Sequence, residues 1–479
     1  MLVMKRSYAA LILCAFIICC RTGFAAPPNI VMIISDDQTY TDFGFMGNSQ
    51  VQTPHLDRLA SQSAVYENGY VPTSVCSPSL ATLLTGLYPH QSGLHYNHPP
   101  PGNSAMNRMT SRAEYETVRS ESFKIIQKLD TLPRLLHEKA GYRTLQTGKF
   151  WEGHFRNAGF TEGMTLFKPV PGQTFGGNRK LADGTLAAHG NGDWGLKIGR
   201  ETMQPIYDFI DDCGETPFLV WYAPYLPHQP HDSPQKYFDQ YKNQSEIPEH
   251  RIPYYAAISQ FDETVGQLIQ FIEKKGLAEN TIFLFVTDNG WEASTKRNKK
   301  NPLEFDHTKR SKRAPFDYGL RTPIMIRWDN HVQPGKHQQL ISSIDIVPTL
   351  LKAAGVDVPS NLPGINLLPS AKGGETLDSK RTLFGEIYPG DASSLGNPAK
   401  DIAYRWACQH ELKLIVPHAH QGKSPWNNYL QKPALFDVVA DPGESNNLID
   451  DPTYAEQVIE LTRQLNHWWS PESLKESSR

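Results

Sequence analysis

Two pairs of adjacent oxygen-bearing side chains stand directly after apolar runs. NIVMIIS (29–35) leads into Asp36-Asp37, and TIFLFVT (281–287) leads into Asp288-Asn289-Gly290. An acid after a strand is commonly a turn residue or a helix cap. Three carboxylates and an amide at two strand ends instead make an oxygen-only donor set, which suits a hard cation, and Ca2+ better than Zn2+. Two other runs also end in functional groups. PFLVWYA (217–223) leads to Pro227-His228-Gln229-Pro230-His231, and the short run after Gly141-Tyr142 ends in Thr147-Gly148-Lys149. His228 and His231 have the spacing of a zinc pair, but Pro230 argues against one helix presenting both rings, and no third soft ligand stands out.

A thiol is placed at another junction, SVCSPSLATLLTG (74–86). Ser77 is a good N-cap, Pro78 suits the first helical position, and Gly86 is a natural stop. Cys76 then lies just before a helix N-terminus, where free N–H groups favour an anion and predict an acidic, exposed thiol. The alternative is a small apolar residue buried at the start of a core helix. A basic stretch, KRNKKNPLEFDHTKRSKR (296–313), carries eight Lys/Arg against two acids. It reads as a solvated loop or as a field that steers a polyanionic chain.

The elements that must position these groups follow an α/β pattern. The near-continuous apolar runs at 29–35, 217–223, 281–287 and 322–328 are those of strands covered on both faces. Between them, Ile258, Phe261, Val265, Leu268, Ile269 and Ile272 recur at helical spacing and Gly276 ends the pattern. The expected fold class is α/β, with a large mostly parallel sheet flanked by helices and ligands at the carboxyl ends of its strands. After about residue 380, short runs without helices between them predict a smaller C-terminal antiparallel sheet plus a helix near 453–469. The expected organisation is a signal peptide at 1–25, a catalytic α/β domain at 27–375 and an α+β subdomain at 376–479. Residues 96–122 and 171–195, rich in Gly, Pro, Asn and Ser, read as long rim loops.

The bulk numbers agree with a globular enzyme. The 479 residues are 39% hydrophobic and 20% charged, with a net charge of −3, which gives no general case for nucleic-acid binding. Lys5 and Arg6, an apolar run to Cys20 and small residues at Gly23 and Ala25 form a secretory signal peptide, so the expected location is exported, periplasmic or secreted. That run is too short for a stable membrane span. Without it three cysteines remain, Cys76, Cys213 and Cys408. Cys213 and Cys408 either form one disulfide or stay as buried thiols.

Taken together, the motifs resemble those of the sulfatase family within the alkaline-phosphatase-like superfamily. They are SDDQ (35–38), CSPSLATLLTG (76–86) with YPHQSG behind it, TGK (147–149), APYLPHQP (223–230), FVTDNG (285–290), the segment from Lys312 to Pro323, SSIDIVPTL (342–350) and LFDVVADPGESNNL (435–448). The resemblance spans nearly all of the chain after the leader. It implies that Cys76 is oxidised to formylglycine by a maturation enzyme and that the hydrated aldehyde attacks sulfur. It also implies one Ca2+ held by Asp36, Asp37, Asp288, Asn289 and the modified Cys76. Lys149 and Lys312 match lysines that bind sulfate and leaving-group oxygens, and His228 matches a histidine that protonates the leaving group. His154 is the nearest candidate for the histidine that follows the lysine motif in the family. The implied substrate is a sulfated carbohydrate.

Four departures accompany the resemblance, the first being that Glu152-Gly153 separates Trp151 from His154, where the family's lysine motif has a His two residues on. Leu80 stands where the family motif C-x-P-x-R has Arg, Leu87 stands where many members have Arg, and Asp317-Tyr-Gly-Leu-Arg321 replaces Glu-Gly-Gly-x-Arg. Two alternatives therefore accompany the sulfatase expectation. One is a phosphate or phosphonate monoester hydrolase of the same superfamily, although phosphate enzymes often use two metals and Ser or Thr. The other is an inactive protein that binds sulfated glycans, on account of Leu80.

Overall fold

The computed structural model describes residues 26–172, 176–291, 310–419 and 426–471. The expected signal peptide at 1–25 and most of the basic stretch 296–313 lie outside the described residues.

The first four strands are β1 (Asn29–Ser35), β2 (Ala64–Tyr70), β3 (Arg143–Gly148) and β4 (Glu162–Gly163). β5 (Asn178–Lys180) and β6 (Leu186–Ala188) form a separate two-stranded ribbon. β7 (Phe218–Ala223), β8 (Thr281–Thr287), β9 (Arg321–Arg327), β10 (Gly335–His337) and β11 (Ile341–Ser342) complete the large sheet. Its order is β10-β2-β9-β8-β1-β7-β3-β4, with β11 also on β2. All of its pairings are parallel except those of β9, which runs antiparallel to β2 and β8.

The continuous apolar runs exist because both faces of the sheet are covered. On β1, Ile30, Met32 and Ile34 enter one core, and Val31 and Ile33 enter the other. Leu80, Leu83 and Leu84 of helix Cys76–Thr85 pack in the first core. Phe261, Val265, Leu268, Ile269 and Ile272 of helix Ile252–Lys274 pack in the second. This is the expected mostly parallel α/β architecture.

The smaller sheet follows, as expected, with four antiparallel strands: β12 (Thr382–Ile387), β13 (Tyr404–Gln409), β14 (Leu412–Pro417) and β15 (Ala434–Asp437). Helix Ala455–Trp468 covers it through Leu461 and Leu465. Ion pairing ties this sheet to the large domain. Lys413 on β14 contacts Asp317, just before β9, and Glu444, all with buried side chains. Asp317 also accepts from the Tyr70 hydroxyl at 2.8 Å.

The two rim segments are more ordered than expected. Residues 96–122 include most of helix Arg112–Phe123. Ser111 caps it by accepting from Glu114 N, and Tyr115, Arg119, Ser122 and Phe123 line its buried face. Residues 171–195 contain the β5–β6 ribbon. Cys213 and Cys408 are both buried free thiols rather than a disulfide.

Candidate active site

The parallel register of β1 and β8 brings the first two acidic motifs together. Ser35 pairs with Thr287 at the ends of the strands. Asp288 N then donates to Ser35 O at 2.9 Å, and Asp37 N donates to Asp288 Oδ1 at 3.0 Å. Asp37 holds φ at 62°, a left-handed conformation that a non-glycine residue adopts only under tight constraint. Gly290, which closes the DNG turn, has no room for a side chain, because a Cβ would lie 1.8 Å from Tyr318 O.

β3 delivers Lys149 by the same logic. Gly148 pairs with Ala223, and Lys149 N donates to Ala223 O at 2.6 Å. Gly148 has φ of 70°, and a Cβ there would lie 1.8 Å from Ala223 O, so the TGK glycine is required by the close approach of β7. Lys149 Nζ contacts Asp36 Oδ1 and lies 3.5 Å from Asp288 Oδ2. Lys312 reaches the cluster from the far side, with Nζ 2.6 Å from Asp37 Oδ2.

Cys76 enters from helix Cys76–Thr85, with Sγ 3.9 Å from Asp37 Oδ1. The helix begins two residues earlier than the Ser-Pro signal predicts: Cys76 is its first residue and Val75 flanks it. Ser77 does not cap the helix. Its own N–H donates to Asn97 Oδ1 at 3.0 Å, an acceptor supplied by a distant loop. Gly86 ends the helix as expected, with φ of 70° and its N–H on Thr82 O.

Of the two readings of Cys76, the buried one holds and the acidic, exposed one does not. Cys76 is 1% exposed, and burial pushes its thiol up to about 12 against the pull of Lys149 and Lys312. Desolvation outweighs the helix N-terminus because the thiolate has no solvent to stabilise it.

Burial and opposed charges set the electrostatics of the cluster. Burial raises Asp36 well above the usual carboxylate range, against Lys149, and also raises Asp288. Burial would raise Asp37 as well, but Lys312 and Lys149, with hydrogen bonds from Lys312 and Asn289, hold it down. Burial would lower Lys149, but Asp36, helped by Cys76 and the other acids, keeps its ammonium well above the ordinary range. Two buried oxygens, Asp36 Oδ2 and Asn289 Oδ1, have no hydrogen-bond partner. Buried acceptors left bare beside three carboxylates fit a bound hard cation.

Asp36, Asp37, Cys76 and His228 each offer a donor atom, all within 4.8 Å of one another. Asp288 and Asn289 join through hydrogen bonds to Asp37 at 3.0 and 2.7 Å. His228 is the addition to the expected oxygen set. Its Nε2 lies 3.4 Å from Asp37 Oδ2, its Nδ1 lies 2.6 Å from Gln229 O, and its ring stacks on Tyr225 at 4.1 Å. His231, Tyr254 and Trp291 join His228 around a cleft above Asp37. The His231 ring packs tilted against Tyr254, 5.7 Å between centres, and burial lowers it to about 4.

His154 lies apart from the other candidates. It caps the turn Phe155–Ala158 by accepting from Arg156 N, and its ring packs on Phe155. Sequence reasoning passed over Asn97, which secures the helix of Cys76, and Tyr225, which supports His228. Tyr225 stands inside APYLPHQP, where an aromatic two residues before Pro227-His228 was the available signal.

The sulfatase family model matches residues 28–356, and the C-terminal model of N-sulphoglucosamine sulphohydrolase matches residues 306–470. The chain is 27% identical to human arylsulfatase A over 464 residues, covering 92% of this chain and 87% of that protein. It is 27% identical to human N-acetylgalactosamine-6-sulfatase over 457 residues, covering 88% and 82%. A solved Bacteroides thetaiotaomicron structure, described with the metabolism of multiple glycosaminoglycans, superposes with a TM-score of 0.69 at 22% identity, covering 92% of this chain and 99% of that one.

Proposed function

The chain belongs to the sulfatase family of sulfuric ester hydrolases, and from that premise we propose that it removes sulfate from a sulfated carbohydrate with formylglycine at position 76 and one Ca2+. The supporting observation is the buried cluster in which Cys76, three carboxylates and Asn289 face two ammonium groups with two acceptor oxygens left bare. The similarity to N-acetylgalactosamine-6-sulfatase supports a sugar substrate.

Asp36, Asp37, Asp288 and Asn289 would hold the cation. When bound, it would polarise the sulfate and lower the pKa of the attacking hydroxyl. The chain's own residues supply the rest. Lys149 and Lys312 carry fixed positive charge at the buried end of the site, where charge on sulfate oxygens is worth more than in water. His228 Nδ1–H donates to Gln229 O, which turns Nε2 toward Asp37 and Tyr225; in the imidazolium form, Nε2–H is the proton given to the departing alcohol. The cleft over Asp37, lined by His228, His231, Tyr254 and Trp291, supplies aromatic faces for a sugar.

We also propose that the protein is exported, on the Lys5/Arg6, apolar-run and small-residue pattern of its first 25 residues. Among the described residues no helix is long and apolar enough to cross a membrane.

Mass spectrometry of the Cys76 peptide from the native host, paired with rates on aryl sulfate and aryl phosphate, tests the function. Formylglycine at position 76 with a preference for sulfate is expected. An intact thiol in every copy, without turnover, would replace the enzyme by a sulfated-glycan binding protein. A strong phosphate preference would move it to the monoester hydrolases.

A further inference from the structure

Beside the cluster lies a second set of polar groups that the proposed chemistry does not use. Arg119 is 1% exposed, its Nη1 donates to Asn97 O at 3.1 Å, and its guanidinium lies 5.9 Å from the centre of the Trp151 ring. Trp151 stands edge-on to His189 at 5.2 Å, and His98 lies 5.9 and 5.6 Å from these two rings. His189 Nε2 pairs with Arg179 Nη2. A guanidinium can only donate, so Nε2 accepts and the ring proton sits on Nδ1.

Four buried nitrogens in this set have no partner: Arg119 Nε, Trp151 Nε1, Arg179 Nε and His189 Nδ1. All four are donors. A buried donor without an acceptor costs about 1–3 kcal/mol, so four together need a reason. Their charge is also poorly matched. Burial pushes Glu152 up to about 7 and Asp193 up to about 8, although Arg119 pulls both the other way. His98 and His189 are held neutral by burial, with the neighbouring arginines adding to the effect. Two permanent cations and a fan of donors are matched by an acceptor-only group with several oxygens.

The set is connected to the nucleophile by two short links. Trp151 follows Lys149 by two residues, and Asn97 bridges Arg119 to the N–H of Ser77, next to Cys76. His98 and Arg179 are partly exposed, which gives the set an open edge.

We propose that Arg119, Trp151, Arg179 and His189 form an anion subsite for a second negative group of the substrate, a carboxylate or second sulfate carried by the same saccharide as the reacting ester. The proposal rests on the sulfatase function and narrows its substrate class to saccharides with at least two anionic groups. Neutral sugars would leave the four donors unmatched.

Equilibrium binding tests this independently of turnover. Full-length protein with Cys76→Ala, which blocks reaction, is titrated with Ca2+ present against three probes: a monosulfated neutral disaccharide, the same disaccharide with a second sulfate, and its uronate counterpart with one sulfate. At least one doubly anionic probe should bind tenfold or more tightly than the neutral one, and the tighter arm identifies the anion. Adding Trp151→Phe or Arg179→Gln should each cut that preference at least threefold, with thermal unfolding recorded to verify the fold. Equal affinity for all three probes, or a preference that survives in both variants, would overturn the subsite. Aryl sulfate turnover by the Cys76 protein reports separately on the sulfatase function, so the two can fail apart.

Discussion

Lys312 Nζ lies 2.6 Å from Asp37 Oδ2, and both side chains are almost wholly buried. Asp37 receives Asn289 Nδ2 on its other oxygen at 2.7 Å. The main chain at Lys312 is anchored by its N–H, which donates to Trp291 O at 3.2 Å. Lys312→Ala should lower kcat on aryl sulfate by roughly a hundredfold or more, the scale of losing one preorganised charge-stabilising donor. It should also cost about 3 kcal/mol of stability, since a buried carboxylate loses its cation. Turnover and thermal unfolding of the purified variant measure both, and wild-type turnover would remove Lys312 from the machinery.

Cation binding should be visible without any substrate. Asp36 Oδ2 and Asn289 Oδ1 have no other partner, and three carboxylates crowd one another. Ca2+ at a hundredfold excess over its Kd would stabilise the fold by about 2.7 kcal/mol. Chelator-treated protein should melt at a lower temperature than protein with Ca2+ restored, and Asp36→Asn should lose most of that difference. A melting temperature indifferent to Ca2+ in the wild type would show that the cluster holds no such ion.

Much of this site is written at the ends of apolar runs. Strands buried on both faces must be continuously apolar, so the first polar residues after them mark the sheet's edge, and Asp36, Asp288 and Lys149 are legible there. Between the two readings of Cys76, acidic and exposed or buried at the start of a core helix, local sequence could not choose, because the buried charges around it, such as Lys312, come from remote segments. The antiparallel direction of β9 was hidden too, since a run such as TPIMIRW reads the same both ways. Helix Arg112–Phe123 did leave a signal: Ser111 with Glu114, then Tyr115, Arg119, Ser122 and Phe123 at helical spacing. A buried arginine in that pattern masks its apolar stripe.

Asp262 offers a pH test far from the reacting groups. It sits on helix Ile252–Lys274, and its carboxylate accepts from Leu56 N at 2.7 Å and His55 N at 3.1 Å, capping helix Pro54–Ser61. Burial raises it to about 7, against these two hydrogen bonds. A carboxyl raised in the folded state binds its proton more tightly there than in the unfolded chain. Its contribution is complete below the unfolded value near 4 and is lost as pH rises through about 7. Stability should therefore fall from about pH 4 to about pH 7, with a slope of about 1 kcal/mol for each pH step of one. Asp262→Asn should flatten that slope, and an unchanged melting profile across this range would show that Asp262 does not contribute to it.

Leu80 decides whether the family arginine could simply be restored. It lies one turn beyond Cys76 on the same helix, is 2% exposed, and packs with Ala81, Leu83 and Leu84 in the large core cluster. An arginine left in that apolar cluster without a partner would cost several kcal/mol. Leu80→Arg should lower the melting temperature sharply and leave the fraction of modified Cys76 no higher, whereas Leu80→Met should cost less than about 1.5 kcal/mol. Thermal unfolding with mass spectrometry of the Cys76 peptide checks all three. Higher turnover at an unchanged melting temperature would mean that the arginine turns into the site, and that Leu80 marks a lost catalytic contact rather than a repacked core.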